Sequence, residues 1–152
     1  MAIKISGTTV IDDNKVGIFS GVGLSNLLRE EVNITAGKLS DNTNINLENG
    51  MIHYFTTTET ATSTPNIRYN ASTSLDSKMS VGETITVTLI TTAAAAAYSA
   101  QLTIDGSAVT ENWINGSAPS DGGSSGVDLH TYNIIKTAAA TFTVIANHSK
   151  TS

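Results

Sequence analysis

Side chains able to do chemistry are few in this chain, and they stand apart from one another. Three histidines, His53, His130 and His148, supply all its imidazoles. None lies at metal-ligand spacing from another, and no His-Glu-x-x-His pattern occurs. His53 and His130 each fall inside an alternating, strand-like stretch, where a hydrogen-bonded structural imidazole is the commoner role. Serine is abundant, yet no Gly-x-Ser-x-Gly elbow presents one as a nucleophile. The acidic pairs Asp12-Asp13 and Glu30-Glu31 are adjacent residues; on a strand such neighbours point to opposite faces, so neither pair makes an acid/base dyad. Asp121 and Asp128 could offer oxygens to a Ca²⁺ ion, but the spaced carboxylates of an EF-hand are missing. Gly116, Gly122, Gly123 and Gly126 lie between two strand-like stretches and do not open a helix, so they form a loop and not a phosphate cradle. Cysteine is absent, which removes disulfides and thiolate metal sites. The expectation is a protein without catalytic, cofactor-binding or metal sites.

Trp113, the only tryptophan, carries two readings. As a structural anchor it is half-buried and its indole N–H finds a backbone partner. As a functional residue it is a platform for stacking a sugar beside the loop 115–126, with Asp121 and Asp128 as nearby polar groups. The four Asn-x-Ser/Thr tripeptides at Asn33, Asn70, Asn115 and Asn147 are what chance gives in so Asn- and Thr-rich a chain.

The elements that must hold these residues read as strands. Charged residues make up 14% of the 152 residues, below the roughly 25% usual for globular domains, and 23 Thr fill the gap. Threonine is stiff at χ1 and keeps one hydroxyl for solvent, so it suits the wet face of a pleated strand. Thr84, Thr86 and Thr88 alternate with Ile85, Val87 and Leu89, the clearest period of two. Asn49-Gly50 marks a turn before residues 51–55. Pro65 to Tyr69 suggests a short edge strand, because proline cannot donate to a ladder. Residues 99–104 and 109–114 flank Asp105-Gly106, a pair suited to a tight hairpin. Strands are expected again over 127–135 and 141–146, joined by a turn near Lys136-Thr137. Ala93 to Ala97 has the highest intrinsic helix propensity but is too short to nucleate alone, so it reads as a connection or a closely packed small-residue strand, with a short helix as the lesser alternative. The fold class expected is all-β, an antiparallel β-sandwich of jelly-roll or immunoglobulin-like type with an N-terminal docking arm.

The chain divides near residue 45. Residues 1–45 carry Gly17, Gly21, Gly23 and a polar stretch at 33–46, and suggest an attachment arm whose Ile18, Phe19, Leu27 and Leu28 would bury against a partner. The alternative is that this section adds a strand or two to the main sheet. Residues 46–152 form the β module. A net charge of −5 with scattered basic residues argues against nucleic acid. No apolar run approaches the roughly 20 residues needed to span a bilayer, and residues 1–7 show no apolar signal core, so synthesis in a cytoplasm is expected.

Several motifs resemble a module of virion structural proteins in marine tailed phages, cyanophages above all. They are Gly50 to Thr58 within 45–64, Met79 to Val87, Leu102 to Gly106, Trp113 with Gly116-Ser117-Ala118-Pro119 and Val127-Asp128, Tyr132 to Thr137, and Phe142-Thr143-Val144. Ile5 to Asp13 looks like the opening of many phage tail-fibre-type proteins. In longer relatives fibre repeats separate the two sections; here they nearly adjoin, which fits a knob, a capsid decoration or a short tail appendage better than a shaft. The resemblance implies a non-enzymatic part of the virion that contacts major capsid or tail proteins. It also implies a homo-oligomer, trimeric in many tail parts of this class. Its alternative is a receptor-binding tail-fibre tip that recognises host-surface glycans.

Overall fold

The computed structural model describes residues 3–5, 8–11 and 29–152. Ile18, Phe19, Leu27 and Leu28, the expected docking side chains, lie outside the described residues. Strands β1 (Ile3–Ile5) and β2 (Thr8–Ile11) pair antiparallel with each other.

From residue 32 the chain runs back and forth between two sheets. Strand β3 (Val32–Thr35) is followed by β4 (Asn44–Asn46), then β5 (Ile52–Thr58) by β6 (Asn66–Arg68), and β7 (Thr84–Thr92) by β8 (Thr103–Ile104). β3, β5 and β7 stack parallel in one sheet, and β4, β6 and β8 stack parallel in the other. Three similar rungs result, the first two offset by 20 residues in one sheet (Val32 beside Ile52) and 22 in the other (Asn44 beside Asn66). Polar side chains bond from rung to rung: Asn66 Nδ2 donates to Asn44 Oδ1 at 2.9 Å, Arg68 Nε to Asn46 Oδ1 at 2.8 Å, and Asn70 Nδ2 to Glu48 Oε2 at 2.8 Å. Asn44 and Asn46 of the front section therefore serve as acceptors for the rung that follows.

The third rung is closed by antiparallel strands. β9 (Ser107–Ala108) folds back on β8 through Asp105 (φ 50°) and Gly106 (φ 81°), two consecutive left-handed residues that suit a two-residue hairpin. β10 (Glu111–Trp113) then leads through a loop to the long hairpin β11 (Val127–Ala138) and β12 (Thr141–Lys150). The larger sheet has the order β10-β12-β11-β7-β5-β3 and the smaller β4-β6-β8-β9. One buried cluster draws on both: Phe55, Val87, Leu89, Tyr132, Ile134 and Val144 from the larger, Ile45, Ile67 and Ile104 from the smaller.

The structure is thus β-rich, as expected, but its sheets are mixed and not antiparallel. Jelly-roll and immunoglobulin-like sandwiches are antiparallel, and the β3-β5-β7 and β4-β6-β8 ladders depart from both. Residues 32–46 lie in these ladders, with Leu39 and Ile45 each 1% exposed, and β4 runs across residue 45. β6 is internal, between β4 and β8, although it follows a proline. Pro65 sits one residue before the strand, so its missing N–H costs no ladder bond, while its carbonyl accepts from Thr103 N at 2.8 Å. β11 runs on through Lys136 and Thr137, and the reversal comes at Ala139-Ala140.

Alternation in β11 and β12 decides what each residue is worth. Ile134 is fully buried, whereas Ile145 points outward and is 37% exposed. Ile134→Ala should lose roughly 2–5 kcal/mol in urea unfolding, and Ile145→Ala less than about 1 kcal/mol. Equal losses would show that the inward and outward faces are misassigned.

Candidate functional site

The inward face of the larger sheet changes character along its length. Its middle is apolar (Val87, Tyr132, Ile134, Val144), but one end carries Thr91, Asp128, His130 and His148. His130 and His148 are cross-strand partners, and their rings stack with centroids 4.6 Å apart and planes 8° from parallel. His148 Nε2 lies 3.4 Å from Asp128 Oδ2, in ion-pair range but without hydrogen-bond alignment. Asp128 is fully buried and accepts from Gly123 N at 2.7 Å. Thr91 Oγ1 stands 3.4 Å from His130 Nε2. Burial, with the neighbouring His148 second, lowers His130 to about 3. Burial also lowers His148, opposed by the Asp128 carboxylate. Both rings are therefore neutral at pH 7, and the pair packs as stacked uncharged imidazoles.

This polar end is roofed by the Gly-rich loop. Gly122 N donates to Ala95 O at 2.9 Å, and Gly123 reaches Asp128 as above. A Cβ at Gly122 would sit 2.2 Å from Ala94 O, so only glycine allows the loop to press against the residue 93–97 connection. The run of alanines has its explanation in the same contact: small side chains admit the loop. Lys150 Nζ holds the other part of the loop through Asp121 Oδ1 at 2.7 Å, and this bond lowers the Asp121 pKa.

Between the loop and β12 lies a cleft of about 270 Å³, bordered by Trp113, Asn115, Asp121, Asn147, His148 and Lys150 among others. It opens where β10 stops. The β10–β12 pairing ends at Trp113 beside Ala146, with Ile114 N still donating to Ala146 O at 3.0 Å; beyond that, among the described residues, no strand covers this edge of β12. Trp113 is half-buried and packs against the core cluster while lining the cleft, so it serves as anchor and wall together. Of the three expected loop residues, Trp113 and Asp121 meet in the cleft, whereas Asp128 lies beneath it as the buried support of Gly123. His53 is apart from this region, its Nε2 3.1 Å from Gly50 O. The His130–His148 pairing is not deducible from spacing, since cross-strand register depends on where the hairpin turns. Among the described residues no group of three or more His, Asp or Glu side chains is placed to hold a metal ion. No protein-family model matches the chain, and no curated protein or solved structure matches it either.

Two outcomes follow. Because the folded state keeps His130 neutral, the unfolded chain takes up a proton below about pH 6.5 that the folded chain refuses until about pH 3. Its stabilising contribution is complete above pH 6.5 and is lost as pH falls. Urea unfolding between pH 7 and 5 should show stability falling by up to about 1.4 kcal/mol per pH unit for each such histidine, and His130→Asn should flatten that slope. Gly122→Ala should cost roughly 1–3 kcal/mol at pH 7, because its Cβ meets backbone and not a flexible side chain; an unchanged melting temperature would mean that the loop is not seated as described.

Proposed function

We propose that this chain is a non-enzymatic structural component of a tailed-bacteriophage virion, displayed on the particle surface as a capsid decoration, a knob or a short tail appendage. In this reading the two sheets form a sandwich-like body, made in the host cytoplasm and carried on the virion, and docking falls to residues 1 to about 45, β3 among them. The observation that carries the reading is the β3 edge. Among the described residues no strand covers it, which leaves a row of backbone donors and acceptors available for strand addition. The outward side chains there are apolar: Val32 is 37% and Ile34 67% exposed. Ile34 continues a row across the sheet through Tyr54, Ile90 and Leu129. A strand of a neighbouring capsid or tail protein, laid parallel to β3 with its own apolar side chains over Ile34, extends the existing ladder by one step. Exposed edges of this kind are usually blunted in proteins that work alone.

A second reading, a receptor-binding tail-fibre tip, is favoured by the meeting of Trp113 and Asp121 in one cleft. The first is tested by labelling purified virions of the genome encoding this sequence with antibody against the recombinant protein. Surface labelling is expected, and Ile34→Asp should abolish incorporation with little effect on folding, since the side chain is largely exposed. Virions free of the protein would overturn the assignment.

A further inference from the structure

We infer that the cleft beside Trp113 binds neutral, hydroxyl-rich glycans and excludes acidic ones; this rests on the reading of the cleft as a glycan site and adds the ligand class. Four features carry it. Trp113 offers an indole wall that is already held by the core, so stacking against a sugar's C–H face requires little ordering. Around it stand short polar groups of both senses: the exposed amide of Asn115, the amide of Asn147, and the Asp121–Lys150 pair. Vicinal hydroxyls each donate and accept, and such a mixed set satisfies them where a purely basic or acidic wall does not.

The third feature is rigidity. The loop that forms one wall is tied at Ile114, Gly122, Gly123 and Asp121, so the cleft exists before a ligand arrives. The fourth is charge. The Lys150 ammonium is neutralised by Asp121 at 2.7 Å, the burial-depressed His148 adds no charge at pH 7, and no other cation borders the cleft among the described residues. A sialic or uronic acid carboxylate would therefore meet Asp121 without a free positive partner.

Trp113 is the only tryptophan of the chain, so its fluorescence reports on this cleft alone. Titration of the full-length protein with maltotriose, chitotriose and galactobiose, up to about 10 mM, should give a saturable emission change with at least one of them. Sialyllactose should give none. Asn115→Ala, at an exposed position, should weaken the response about tenfold without altering thermal unfolding. Asp121→Asn frees the Lys150 ammonium and should admit sialyllactose. Absence of any saturable change with either set would overturn the glycan reading as a whole. Saturation by sialyllactose in the unaltered protein would overturn the neutral class while leaving a glycan site standing. A response untouched by Asn115→Ala would place the ligand outside the cleft, and continued refusal of sialyllactose by Asp121→Asn would overturn the charge argument.

Discussion

The pairing of β11 with β7 on one side and β12 on the other is the constraint from which the rest follows. Asp128, His130, Tyr132, Ile134 and Lys136 all point inward from this one strand, and all are buried. A slip of one residue against either neighbour would turn the whole row to solvent and bring Leu129, Thr131, Asn133 and Ile135 inside. The apolar middle of the row fixes that register against Val87 and Val144. Its two polar ends then impose order beyond the sheet, because a buried charge has to find partners.

At one end Lys136 Nζ meets Asp76 Oδ1 at 2.7 Å and Met79 O at 2.8 Å, while Asp76 Oδ1 also accepts from Ala140 N at 2.7 Å. The short helix Leu75–Lys78 is thereby held beneath the hairpin turn, and Asp105 caps its start by accepting from Leu75 N and Asp76 N at 2.7 and 3.0 Å. At the other end Asp128 seats Gly123, and with it the loop that walls the cleft. Charges from a single strand thus reach both connections, the first of which also buries Leu75 and Met79 in the core. Removing one partner of such a buried set is costly, since the other is left uncompensated. Glu59 does the same work in the first rung: 3% exposed, it accepts from Leu39 N at 2.6 Å and from Ser40 N at 3.3 Å.

What could be read from the sequence was what local rules control. Alternation of Thr with Ile, Val and Leu at 84–89 identified the strand that became β7, and Asp105-Gly106 identified a hairpin because its backbone geometry is local. The parallel stacking was not readable in the same way. Parallel partners such as Ile52 and Thr88 are 36 positions apart with a different sheet in between, and nothing in the neighbourhood of either names the other. Strand composition fitted an antiparallel sandwich equally well, so the commoner arrangement was expected. Pro65 misdirected for a related reason: the rule that proline marks an edge applies within a strand, and here it stands just outside one. In the cleft, Trp113 and Asp121 were identifiable as residue types near a Gly-rich loop. The buried histidine pair and the role of Asp128 depended on register, and the roles of Gly122 and the alanine run depended on a contact between segments some 25 residues apart.

The two proposals make demands on opposite sides of one sheet. β3, where a neighbouring subunit would add, and β10, which opens the cleft, are the two outer strands of the six-stranded order. Five interstrand spacings separate them, about 24 Å, so a strand docked on β3 leaves the Trp113 cleft uncovered. The sheet between them is continuous, and its buried registers leave no room for the two edges to approach. Attachment at one edge and recognition at the other therefore need no conformational change to coexist. The chain would hold its cleft outward because its other edge is occupied, a geometry that a module with both features on one edge could not provide.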